Sequence, residues 1–180
     1  APVIVRAAGG VEQVRAAGTI VGSLPHAVFT EEGAVLRGGD DIDLYMSPIN
    51  IDPVKPALPI SHPSTYSVYL ANLLGSFATV GMAEDTWALN EGVIDHEAFL
   101  RQAYSIFEER EATFMSPLAN TRRGVVACVF DTSDRIQHMF NRQPDVVEAM
   151  YRRMDELVGK TLKFVDRDTV MFVLSDHGFC

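Results

Sequence analysis

The 180 residues contain only two cysteines, one tryptophan and fifteen lysines and arginines. Two thiols cannot build a disulfide framework, so stability has to come from packing. Cys128 lies inside an apolar run and is expected to behave as a small core hydrophobe. Acidic side chains outnumber basic ones, and the net charge is −9. A surface of that sign repels phosphate backbones and anionic lipid, which argues against general binding to nucleic-acid backbones or membrane surfaces. An anionic substrate remains possible where metal cations intervene. No run approaches 18 consecutive apolar residues, so no membrane segment is expected. The opening residues APVIVRAAGG lack the basic head and long apolar stretch of a secretory signal. The compartment stays open, with the cytoplasm favoured. Internal repeats, low-complexity tracts and charge runs are missing as well.

What is present is a 47% hydrophobic chain of 19.8 kDa, enough for one real core. Its texture changes near residue 60. Before that point, short apolar runs at 3–5, 19–21, 34–36 and 42–46 alternate with turn signals such as Gly33, Gly38 and Gly39. This pattern predicts short strands joined by turns, so residues 1–60 read as a mostly β inserted or substrate-side segment. INIDPVKPALPI (49–60) holds three closely spaced prolines and is expected to be an irregular surface connector. Residues 61–180 read as an α/β core portion. Ser64 is placed to cap a helix carrying Tyr66, Leu70, Leu73 and Leu74 and ending at Gly75. Asp95 opens a second, with Phe99, Ala103, Ile106, Phe107 and Phe114 at helical spacing and Glu108, Glu109 and Arg110 on a solvated face. A third follows Pro144, striped by Val147, Met150, Tyr151, Met154, Leu157, Val158 and Leu162. Two runs apolar on both faces, VVACVF (125–130) and TVMFVL (169–174), predict central strands covered by helices. With the helix between them they predict a right-handed βαβ unit.

In open α/β sheets, ligands bind beyond the carboxyl ends of the strands. After the first apolar run come Asp131, Asp134 and His138; after the second come Asp176 and His177. Asp134 and His138 stand four apart, so on a helix both project from one face and can meet a single cation. Asp176 and His177 are adjacent and converge only on a tight loop opened by Gly178. Oxygen with imidazole suits Zn²⁺, Mn²⁺ or Fe²⁺ better than Mg²⁺ or Ca²⁺. Taken singly, Asp134 also reads as a helix cap, His138 as a surface residue and Asp176 as a turn former. The repeated Asp/His vocabulary at two strand ends favours a site. Arg135, beside Asp134, is suited to an ion pair or to a phosphate. His62 reads as structural, with a site role as the lesser alternative; Glu84 and Asp85 read as a polar loop, or else as groups near a substrate path, and Trp87 as the loop's packing anchor. His26 and His96 read as loop and first-turn residues.

D-x-x-x-H after one strand and S-D-H-G after a later one resemble the metal-ligand signatures of the alkaline phosphatase superfamily. The likeness is strongest to its type I phosphodiesterase/nucleotide pyrophosphatase-like branch, in the bacterial phosphohydrolase and phosphomutase group. SPINIDP (47–53), PISHPSTYS (59–67), AEDTWALNEG (83–92), FDTSDRIQHMF (130–140) and LSDHGF (174–179) carry it. The resemblance implies part of an alkaline-phosphatase-like α/β/α sandwich with two divalent ions, Zn or Mn, about 4 Å apart and clamping a phosphoryl group. It implies Asp134 and His138 as ligands of one ion and Asp176 and His177 as ligands of the other. Asp131 and Arg135 are then candidates for supporting the ligands from behind.

The resemblance also implies parts that these residues do not contain. The family's Thr or Ser nucleophile and first metal-binding Asp precede this region, and its last His ligand follows the DHG motif. The chain is therefore expected to be a portion of a longer phosphohydrolase, cleaving phosphate mono- or diesters, and inactive by itself. Its partners would be a small phosphate ester and the missing N- and C-terminal parts of the same protein. The alternative is an alkaline-phosphatase-fold module that has lost its chemistry and serves in binding or structure. A mutase would share every residue visible here.

Overall fold

The structure is a computed structural model that describes the backbone of five strands between Val3 and Met46. With side chains it describes residues 50–79, 81 and 83–178. The chain divides into two compact units, Ala1–Asp52 with Thr79–Gln102, and Pro53–Ala78 with Ala103–Cys180.

The first unit carries the strands. β1 (Val3–Ala8), β4 (Ala34–Arg37) and β5 (Asp41–Met46) form an antiparallel sheet in the order β1-β5-β4. Its register runs from Val3 opposite Met46 to Ala8 opposite Asp41, and from Ala34 opposite Met46 to Arg37 opposite Asp43. β2 (Gln13–Ala16) and β3 (Thr19–Ser23) pair separately, with a register shift between Val14 and Arg15. Strands fall where turn-separated apolar runs predict them; β2, whose QVRA does alternate but spans only four residues with no apolar run, was not singled out from the sequence. His26 lies outside the described residues. Further along this unit, Asp85 opens the short helix α2 (Thr86–Asn90) by accepting from the Ala88 amide at 2.9 Å. The Asp85 amide in turn donates to Gln102 Oε1 at 2.8 Å. Glu84 and Asp85 are therefore buried structural groups rather than an open polar loop, and Trp87 is about half exposed rather than a packing anchor.

The second unit holds the remaining helices. α1 (Thr65–Leu74) starts after Ser64 and stops at Gly75, whose φ of 90° is a conformation other residues rarely adopt. Leu70 and Ala71 are buried, whereas Leu73 and Leu74 are exposed. α3 (His96–Asn120) begins in the first unit and continues in the second. Asp95 caps it through the Ala98 amide at 2.8 Å. Ala103, Ile106 and Phe107 form its buried stripe here. The face expected to be merely solvated is engaged: Glu109 accepts from the Ala78 amide, Glu108 pairs with Arg153, and Arg110 reaches Asp131. α4 (Thr132–Phe140) buries Thr132, Ile136 and Phe140 at four-residue spacing. α5 (Pro144–Leu162) has proline in its first turn, where a missing N–H costs nothing, and buries Met150 and Leu157.

The α/β sandwich expected from the sequence is not what forms. Among the described residues from 50 onward there is no strand, and all regular structure is helical. Residues 125–130 and 169–174 are irregular and pair with no strand among the described residues, so they form no βαβ unit. Val125 is 91% and Leu174 86% exposed, and Cys128, expected in the core, is exposed too. Apolar composition gives a segment the propensity for a strand, but a strand exists only through the ladder of a neighbouring one. Phe130 is anchored by its ring, 5.7 Å from those of both Phe107 and Phe114.

Candidate functional site

The Asp/His pairs predicted from the sequence come together in the second unit. α4 buries the stripe 132–136–140, so positions 134 and 138 project from a different face, at the edge of the packed layer. His138 Nε2 lies 3.3 Å from Asp134 Oδ1. The second pair arrives on an irregular loop in which the Ser175 hydroxyl donates to the His177 carbonyl, and the His177 amide donates to Asp176 Oδ1 at 3.1 Å. His177 Nε2 stands 3.4 Å from the same Asp134 Oδ1 and 3.9 Å from Asp176 Oδ2. Asp134 Oδ1 is thus the meeting point of three of the four residues. Asp176 is attached more loosely, through His177, with a side chain 91% exposed.

The two oxygens of Asp134 have unlike surroundings. Oδ2 accepts from Arg135 Nη1 at 2.9 Å. Oδ1 is shut off from solvent and accepts no hydrogen bond of good geometry. A buried carboxylate oxygen in that state is costly unless a positive charge faces it. Either a protonated imidazole or a bound cation between the oxygen and the imidazole nitrogens supplies one. His177 Nδ1 is 3.3 Å from the Gly178 carbonyl. With the proton on Nδ1, that contact turns the Nε2 lone pair toward Asp134, the tautomer a metal ligand needs. Oxygen beside imidazole is donor chemistry that divalent zinc or manganese accepts. Among the described residues, no group of three or more His, Cys, Asp or Glu side chains forms a ready-made metal centre. What the residues provide is Asp134 Oδ1 facing the imidazoles of His138 and His177, with Asp176 alongside His177.

The two supporting candidates are both tied up in ion pairs. Arg135 serves Asp134, and its Nε is buried without a hydrogen-bond partner. Asp131 precedes α4 but makes no capping bond, because its Oδ1 is held by Arg110 Nη1 at 2.5 Å. Arg110 is the residue that sequence reasoning missed. Its position among Glu108 and Glu109 on α3 gave only the signal of a solvated helix face. His62 is exposed before α1, and His96 is the first residue of α3.

Among the described residues, no helix is long and apolar enough to cross a membrane. Neither the curated proteins nor the solved structures compared with the chain contain a significant match. A family model does match, over residues 47–180, a span that includes all four Asp and His residues of the cluster. The chain belongs to the type I phosphodiesterase/nucleotide pyrophosphatase family, a family of phosphoester hydrolases.

Proposed function

We propose that residues 47–180 carry the Asp/His portion of a two-metal centre that hydrolyses a small phosphate mono- or diester. Asp134 and His138 would hold one divalent ion and Asp176 and His177 the other, with zinc or manganese suiting the donors best. Bound there, divalent cations supply positive charge against the phosphoryl oxygens of the substrate. The observation that carries this reading is the sealed Asp134 Oδ1 with an imidazole nitrogen at 3.3 Å and another at 3.4 Å.

The chain's own residues set the geometry of that centre. Arg135 occupies Oδ2 and so leaves Oδ1 as the face of Asp134 turned to the imidazoles. The helical turn of α4 sets the spacing of Asp134 and His138, and the Gly178 carbonyl orients the ring of His177. Arg110 and Arg135 are each engaged by a carboxylate, so metal cations rather than these guanidiniums would neutralise an anionic ester. The nucleophile in this proposal is a Thr or Ser outside the Asp/His cluster.

Calorimetric titration with Zn²⁺ and Mn²⁺ tests the ligands, and turnover of p-nitrophenyl phosphate and bis-p-nitrophenyl phosphate by the product of the whole reading frame tests the reaction. Binding and turnover should both collapse in Asp134→Ala and fall by one to two orders of magnitude in His177→Ala. Folded variants that bind and turn over like the parent would refute the assignment. Metal binding without turnover in the whole protein would favour the binding-module reading instead.

A further inference from the structure

Asp131 stands where a capping carboxylate belongs, yet it gives its Oδ1 to Arg110. Arg110 Nη1 also donates to the Val129 carbonyl at 3.1 Å. On α3, Arg110 lies three residues after Phe107 and four before Phe114, so the three side chains share one face. The two rings meet Phe130. One face of α3 therefore grips three consecutive residues: Val129 by its carbonyl, Phe130 by its ring and Asp131 by its carboxylate. The Asp131 carbonyl then accepts from the Arg135 amide at 3.1 Å, in the first turn of α4.

We infer that Arg110 is a positioning residue for the Asp134–His138 pair, acting through Asp131 and the Val129 carbonyl to fix where α4 begins and how it is turned. The inference rests on the metal reading above for what the pair binds, and on geometry alone for how the pair is placed. α4 has nine residues, too few to set its own start by helix propensity. Its N-cap residue makes no side-chain bond to the helix, so the orientation of Asp131 comes from α3. A small rotation at Asp131 passes directly into Arg135 and the carboxylate that Arg135 holds. Both partners of the Arg110–Asp131 pair are about four-fifths shielded, which spares it much of the screening that weakens surface pairs. Lysine would keep the charge, but its ammonium ends one bond short of the guanidinium nitrogens.

The test compares Arg110→Met, Arg110→Lys, Asp131→Asn, the double variant Arg110→Met/Asp131→Asn and a control, Glu108→Gln. The control removes the Arg153–Glu108 pair from the same helix without touching residues 129–131. Co²⁺ alone is the probe, read by its dissociation constant and visible absorption, and hydrogen exchange of the 134–138 amides is followed without metal. Arg110→Met should bind Co²⁺ roughly tenfold more weakly, alter the absorption and speed exchange in α4. Arg110→Lys should fall between it and the parent, the double variant should be no worse than either single one, and Glu108→Gln should resemble the parent. A folded Arg110→Met with parental Co²⁺ affinity and α4 exchange would overturn the inference, as would Glu108→Gln producing the same losses. If the parent takes up no Co²⁺, the metal reading falls by itself; metal-free exchange of α4 would still uphold or overturn the role of Arg110.

Discussion

Asp134 and Asp166 illustrate how differently two carboxylates can be used within one unit. Asp134 divides its oxygens between a guanidinium and two imidazoles, whereas Asp166 closes a solvent-exposed turn, accepting from the Thr169 hydroxyl at 2.6 Å and the Asp168 amide at 3.0 Å. The Thr169 hydrogen bond, followed by the Asp168 one, holds the Asp166 carboxyl below the usual carboxylate range. A carboxyl lowered in the folded state binds protons more weakly there than when unfolded. Its stabilisation is full above the unfolded value near pH 4 and disappears as pH falls through the lowered folded value. The gap in urea midpoint between the parent and Asp166→Ala should thus be present at pH 6 and close toward pH 2.5; a gap constant with pH would contradict this. Cys128 yields a second prediction. Burial, its largest influence, pushes the thiol up, although the residue as a whole is exposed. Alkylation by iodoacetamide should reach it in the folded chain, slowly at neutral pH and faster as pH rises past the usual thiol range. At this scale the candidate donors were legible, because Asp and His after apolar runs announce their chemistry by type. Arg110 was not legible, because a charged residue on a helix face looks the same whether it meets water or a carboxylate 21 positions away.

After residue 60 the helices were readable, whereas the two expected strands do not form, and hydrogen bonding explains the difference. A helix satisfies its backbone within its own segment, so Asp95 and the stripe through Phe99, Ala103 and Phe107 predict α3 without reference to the rest of the chain. The runs 125–130 and 169–174 carry strand propensity, but their ladders would have to come from elsewhere, and the described residues provide none. α2 was overlooked because five residues show no periodicity; its one signal was Asp85, placed to cap Ala88. Asp95→Ala should lower the unfolding free energy by about 1 kcal/mol, the usual loss for a capping side chain. Ile136→Ala, at a fully buried position on α4, should cost about 2–5 kcal/mol in the same urea titration. It should also weaken metal binding, because the stripe it belongs to sets the opposite face of that helix.

Across the whole molecule, the exposed apolar stretches stand out against a net charge of −9. Val170, Phe172, Val173 and Leu174 all lie more than two-thirds exposed in one short segment. Contiguous apolar surface of this kind promotes association. Sedimentation of the chain should be concentration-dependent, and Val170→Lys with Phe172→Lys should reduce that dependence while leaving the urea midpoint close to the parent's. Unchanged sedimentation would show that the segment is not the adhesive surface. The meeting of Asp134 with His177 has a consequence at this same scale. The two residues are 43 positions apart, so whatever bridges them ties α4 to the loop after 174 and encloses all of α5. An occupant of the cluster would act as a reversible cross-link, limiting the unfolded chain much as a covalent bridge does. Unlike a covalent bridge, it would be governed by mass action: about 2.7 kcal/mol of added stability at a hundredfold excess over its dissociation constant, and none on dilution. The melting temperature of this chain would then report the free concentration of the ligand it holds.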